Sequence, residues 1–173
     1  MSAPQPGLAA RIATAHRPGP YHLPGGASLP TFFDPFALAA DPSLLAETAA
    51  ALANLLPSGT SAVAGPALGA VPLVTALSLH TGLPAAILRP QVKAHGSRRR
   101  IEGADVRGRQ VVVVDDTARS GVSMLHAARL LRIAGATVTT TVCVIDRQAG
   151  ATGLLAAQNI ELRALVTDPG GTP

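Results

Sequence analysis

The sequence predicts an α/β fold: a mostly parallel sheet flanked by helices. Three observations carry this. Five apolar runs have strand length: "SAVAG" (61–65), "AAILR" (85–89), "RQVVVVDD" (109–116), "TVTTTVCVID" (137–146) and "IELRALV" (160–166). Segments with helical spacing alternate with them, the pattern of crossover connections. No Asp, Glu, Lys or Arg occurs from Thr48 to Leu88, which suits segments covered on both sides of a sheet.

Each element has a local reason. Residues 1–20 are rich in Pro and Ala, and little order is expected before about residue 18 or after residue 167. "YHLPGGASLPTFFD" (21–34) reads as short strands around a turn at Gly25-Gly26. "DPSLLAETAAALANLL" (41–56) is a helix capped by Asp41, with Pro42 in the first turn. After the 61–65 strand come a Gly/Pro turn and a helix to about His80, then the 85–89 strand. "PQVKAHGSRRRIEGADVRG" (90–108) is polar, basic and without apolar periodicity, and reads as a long mobile loop. The 109–116 strand leads into a helix over 120–136 that stops at glycine. The 137–146 strand, a short helix over 150–159 and the 160–166 strand complete the chain.

A chain of 173 residues suggests a single domain, residues 1–173. Hydrophobic residues make up 47% and aromatics 2%, so Ala, Val, Leu and Ile must build the core. A net charge of +4 favours anionic ligands. Nucleic acid is not expected, because stacking aromatics are scarce and the main basic run is short. Cys143 sits alone in "TVCVI", which reads as a buried, inert thiol in a reducing compartment. Residues 1–20 contain no continuous apolar stretch, so a cytoplasmic setting is expected. "AVAGPALGAVPLVTALSL" (62–79) approaches bilayer-spanning length, but Pro66, Pro72, Gly65 and Gly69 favour strand, loop and helix over one membrane helix.

The stretch that demands a chemical explanation is "VVVVDDTARSGVS" (111–123). Four valines run into two adjacent carboxylates. In parallel sheets, ligands bind beyond the carboxyl ends of the strands. The following turn enters a helix whose first amides point outward, a ready phosphate site, and Ser120 and Ser123 add hydroxyls. Carboxylates for sugar hydroxyls beside amides for phosphate fit a ribose 5-phosphate. The alternative is that the pair caps the helix or lies in a solvated turn. A P-loop is disfavoured, since no GxxxxGK[ST] occurs.

"VVVVDDTARSGVS" resembles the phosphoribosyl-pyrophosphate (PRPP) motif of type I phosphoribosyltransferases. Other segments narrow the resemblance to the orotate phosphoribosyltransferases. "YHLPGGASLPTFFD" resembles their amino-terminal segment, and "AGPALGAVPLVTALSLHTGLPAAILR" their pyrophosphate-loop region. "LRPQVKAHGSRRRIEG" resembles their catalytic loop, and "VIDRQAGATGLLAAQNIELRALVT" their carboxyl-terminal part. The likeness covers roughly residues 19–167.

The resemblance implies a type I phosphoribosyltransferase fold with a small N-terminal hood and a mobile loop. It implies transfer of 5-phosphoribosyl from PRPP to orotate, giving orotidine 5′-monophosphate and pyrophosphate. Asp115 and Asp116 match the pair on the ribose hydroxyls; Ser120, Gly121 and Ser123 match the phosphate cradle, with Thr117, Ala118, Arg119 and Val122 in the same PRPP-binding stretch. Arg89, Lys93 and His95 match residues that meet the pyrophosphate, Lys93, His95 and Asp116 being the catalytic set. Phe32, Phe33, Arg119 and Arg147 are assigned to orotate. Mg²⁺ is implied, held mainly by PRPP and through water to Asp115 or Asp116. A homodimer is implied, the loop of one subunit reaching its partner's site. Pro90 replaces a usual lysine, Arg119 a usual threonine, and Pro24 a lysine of some members. These departures leave open a phosphoribosyltransferase for another base, or a non-catalytic PRPP- or nucleotide-sensing regulator.

The physical case for the basic loop is independent. Loss of pyrophosphate leaves an oxocarbenium-like carbon and a highly charged leaving group, which flexible cations stabilise. A loop closing over the site also excludes water. A solvated surface loop, or a basic patch for RNA, is the competing reading of "KAHGSRRR".

Overall fold

The computed structural model describes residues 7–22, 26, 28–91 and 99–168. The chain starts with α1 (Leu8–Ala13), β1 (His16–His22), β2 (Ser28–Phe33), α2 (Pro35–Ala39) and α3 (Pro42–Ala53). Next come β3 (Ala62–Pro66), α4 (Val71–Thr81), β4 (Ala85–Leu88) and β5 (Ile101–Gly103). β6 (Val111–Ala118), α5 (Val122–Ile133), β7 (Thr140–Asp146), α6 (Ala151–Ala156) and β8 (Glu161–Thr167) complete it.

Six strands form the central sheet in the order β5-β4-β3-β6-β7-β8. All neighbours are parallel except β4 and β5. The four valines of β6 explain why a continuous apolar run belongs here. Val111 and Val113 enter one core with Met124, Leu131 and Leu155 of α5 and α6. Val112 and Val114 enter a second core with Leu38, Leu52, Val74 and Leu77 of α2, α3 and α4. Strand side chains alternate between faces, so a strand covered on both needs no polar alternation.

Gly65 sets the spacing in the middle of the sheet. A Cβ there would lie 2.5 Å from the Val114 carbonyl oxygen and 2.7 Å from Val74 Cγ2. The charge-free stretch read as strand, loop and helix is β3, a short turn and α4. No helix among the described residues is long and apolar enough to cross a membrane. Cys143 is fully buried, and burial pushes its thiol far above the ordinary range, as expected for an inert thiol.

β1 and β2 form a separate antiparallel ribbon. Ile12, Ala15 and Phe33 bury it and α1 in the same core as α3 and α4. Asp34 caps α2 through the Phe36 and Ala37 amides (2.9 and 3.1 Å) and faces Arg17 at 3.6 Å. Asp41 caps α3 as expected, accepting from Ser43 and Leu44.

Three local expectations are corrected. Residues 8–18, expected to carry little order, form α1 and the start of β1, because Ile12 supplies a buried anchor. The 90–108 segment is not loop throughout. Residues 101–103 add an antiparallel edge strand, Gly103 taking φ +93° where a Cβ would meet the Ala85 oxygen at 2.5 Å. Asp168 is also ordered, its amide donating to the Asp146 carbonyl (3.0 Å).

Candidate active site

The carboxyl ends of β3, β6 and β7 meet at one end of the sheet, and the hood folds over that end. Alternation along β6 sends the two aspartates to different faces. Asp115 is buried and lines the same cavity as Ser123 at the start of α5. Asp116 lies beside the turn after β3, with its carboxyl 3.5 Å from where a Cβ on Gly69 would be. The Asp116 amide donates to Asp115 Oδ1 (3.0 Å).

Burial first, and the Asp116 charge second, hold the Asp115 carboxyl well above its usual range. The pair therefore favours a proton, a cation or a hydroxyl donor in front of it. Thr117 Oγ1 is buried at the same place without a hydrogen-bond partner.

Two adjoining cavities open here. One, of about 420 Å³, lies between α2, the 66–69 turn and the Asp115-Asp116 pair, and reaches Ser123. The other, of about 200 Å³, is lined by Thr31, Phe32, Phe33, Thr117, Arg119 and Arg147. Phe32, Asp116 and Thr117 border both. The first is polar at the strand ends. The second pairs aromatic walls with two guanidinium groups, which suits a flat anionic ring.

The turn between β6 and α5 is built for close approach. Gly121 takes φ +78° at the N-cap, and a Cβ would stand 2.9 Å from Ala151 Cα. α5 presents its first amides beyond this glycine, with Ser120 and Ser123 exposed beside them.

Not every expected residue reaches a cavity by its side chain. Ala118 is buried in the core, and its carbonyl accepts from the Arg147 amide (2.8 Å). Val122 is exposed on α5. Phe33 is buried and backs the second cavity, leaving Phe32, 44% exposed, as its accessible face. Arg147 pairs with Asp168 rather than with its neighbour Asp146. Arg89 lines an adjoining small cavity of about 140 Å³ with Pro90, Arg100 and His126, which shares Pro66, Ala67 and Ser123 with the first. Lys93 and His95 lie outside the described residues.

Residues 37–154 match the model of the phosphoribosyl transferase domain. The orotate phosphoribosyltransferase of Halobacterium salinarum is 41% identical to the chain, over 92% of this chain and 90% of that protein. The chain belongs to the orotate phosphoribosyltransferase family.

Solved structures agree with this. The Aeropyrum pernix orotate phosphoribosyltransferase superposes with a TM-score of 0.81 at 32% identity, over 92% of this chain and 93% of that one. The Mycobacterium tuberculosis H37Rv enzyme in complex with PRPP gives 0.78 at 25% identity, over 94% and 95%. The central sheet, hood and strand-end motif of this orotate phosphoribosyltransferase relative therefore stand as the sequence resemblance implied.

Several further residues line the site. α2 supplies Pro35 and Phe36, and the turn after β3 supplies Leu68 and Gly69. The Pro-Ala-Leu-Gly turn was a visible signal, but five-residue α2 was too short to show periodicity. His16 and Asp168, which touch Arg147, had no sequence signal because they converge only in three dimensions.

Proposed function

We propose that the two cavities divide the family's reaction between them: PRPP lies along the Asp115-Asp116 strand end, and orotate lies in the Phe32-Arg119-Arg147 cavity. The observation that carries this is the shared border. Asp116 and Thr117 line both cavities, where the bond between sugar and base has to form.

Asp115 and Asp116 accept hydrogen bonds from the ribose hydroxyls, and the α5 amides with Ser120 and Ser123 hold the 5-phosphate. The C1–oxygen bond to pyrophosphate breaks, its electron pair leaving with pyrophosphate. A ring nitrogen of orotate supplies the pair for the new bond to C1 and releases its proton. Phe32 and Phe33 hold the ring plane, and Arg147, helped by Arg119, takes the carboxylate. Lys93 and His95, with Arg89, meet the leaving pyrophosphate.

The donor set fits Mg²⁺. That ion accepts one or two carboxylates plus substrate phosphates, and two adjacent carboxyls, one of them buried, favour a cation in front of them. A Mg²⁺ ion held there would supply charge neutralisation for the leaving pyrophosphate. Asp115 or Asp116 would hold it through water.

The working form is a homodimer in the cytoplasm, each site completed by the partner's loop. Mixing Lys93→Ala subunits with Asp116→Asn subunits tests this. Mixed dimers regain one intact site and recover activity. No recovery after confirmed subunit exchange refutes the shared site. For the reaction itself, orotate absorbance falls when protein, PRPP and Mg²⁺ are combined, with pyrophosphate released in equal amount. PRPP binding without turnover of any base would instead favour a sensor.

A further inference from the structure

Arg147 does not stand in its cavity unaided. Its Nη1 donates to Asp168 Oδ2 (2.7 Å), and its Nη2 lies 2.8 Å from His16 Nε2. Three distant pieces of chain meet here: the start of β1, the end of β7 and the end of β8.

His16 Nε2 also faces Asp168 Oδ2, but at 3.6 Å, beyond hydrogen-bond reach, so its nearer partner, Arg147 Nη2 at 2.8 Å, sets its role. Its Nδ1 is 3.1 Å from the Ala13 carbonyl oxygen, which can only accept, so Nδ1 carries the proton. A guanidinium can only donate, so Nε2 must accept from Arg147 with its lone pair. The neutral Nδ1–H tautomer satisfies both contacts at once. A protonated ring would set an N–H against the guanidinium. Phe33 holds the ring edge-on, centroids 5.4 Å apart at 61°. His16 thereby braces Arg147 without adding a third positive group beside Arg119.

A guanidinium has five N–H groups. Asp168 and His16 use two of those on Arg147, and fix the plane in which the rest face the cavity. We propose that His16 is a positioning residue, its neutral imidazole aiming Arg147 at the carboxylate of the base. This rests on the reading that Arg147 binds that carboxylate.

The test uses the whole chain with two substitutions. His16→Phe keeps the ring volume and the Phe33 contact but removes the acceptor. His16→Gln restores an acceptor near the Nε2 position. With His16→Phe the KM for orotate rises about tenfold, as for loss of one hydrogen bond to a charged group. Turnover at saturation and PRPP affinity stay within about twofold, and His16→Gln returns KM to within about threefold of the parent. Nitrogen chemical shifts of the parent show Nδ1 protonated and Nε2 accepting. An unchanged KM in His16→Phe, no rescue by Gln, parallel loss of turnover and PRPP affinity, or the opposite tautomer overturns the proposal. If the parent protein does not use orotate at all, the reading of Arg147 fails as well, and the two failures are thereby told apart.

Discussion

Arg147→Ala is the sharpest single perturbation of the base cavity. The Arg147 side chain is 8% exposed, so a carboxylate that meets it is largely withdrawn from water. Truncating one member of such a pair costs about 2–5 kcal/mol, much of it the penalty on the abandoned charge. Two features place this case at the low end. Arg119 lines the same cavity and keeps part of the attraction. Asp168, which loses its partner, is 36% exposed and regains water. A loss of about 2–3 kcal/mol corresponds to a rise of about 30- to 150-fold in the KM for orotate. PRPP contacts a different cavity, so its affinity stays within about threefold. Steady-state kinetics with each substrate varied in turn, and calorimetric titration of PRPP, give both numbers. A change in orotate KM below about threefold refutes the reasoning, as does an equal effect on PRPP.

Three further outcomes follow from the same geometry. Asp116→Asn weakens PRPP binding by about tenfold or more, read by titration, while the thermal midpoint stays near that of the parent; unchanged affinity removes Asp116 from the ribose site. Asp115→Asn stabilises the fold while weakening PRPP. The folded carboxyl holds its proton to higher pH than the unfolded one, so its cost is absent below the unfolded pKa and grows as pH rises toward the folded value. The variant therefore melts above the parent at about pH 8, and the gain vanishes near about pH 4; a gain largest in acid has the wrong sign. Gly65→Ala forces a methyl within 2.5 Å of a backbone oxygen and 2.8 Å of Ala70 Cβ. Overpacking at its usual upper end, about 3 kcal/mol, lowers Tm by about 6–12 °C for a chain of this length, which calorimetry reads.

How much of this was legible in the sequence depended on range. The central strands and α3 to α6 were readable because their determinants are local: apolar runs, Asp41 before Pro42, Gly135 after the last turn of α5. The acidic pair was readable because a strand end and a helix start adjoin in sequence. β5 was missed because three residues of "RIEG" carry no strand periodicity, and their pairing with β4 is set by the partner strand. α1 escaped notice because one buried residue, Ile12, anchors it against a distant core. The ion pair between Arg147 and Asp168 spans twenty-one positions, and the contact with His16 spans 131. Local pattern cannot encode such a meeting.

The central claim is that a guanidinium pair in the second cavity selects a base bearing a carboxylate. Orotate and uracil differ by that group alone, so kcat/KM for the two, measured side by side with PRPP and Mg²⁺, tests it most directly. A cavity that holds buried charge for a missing partner rejects the analogue by about 10³-fold or more. At least that preference for orotate is expected, carried mainly by KM and reduced in Arg147→Ala. Equal use of the two bases, or preference for uracil, would contradict it.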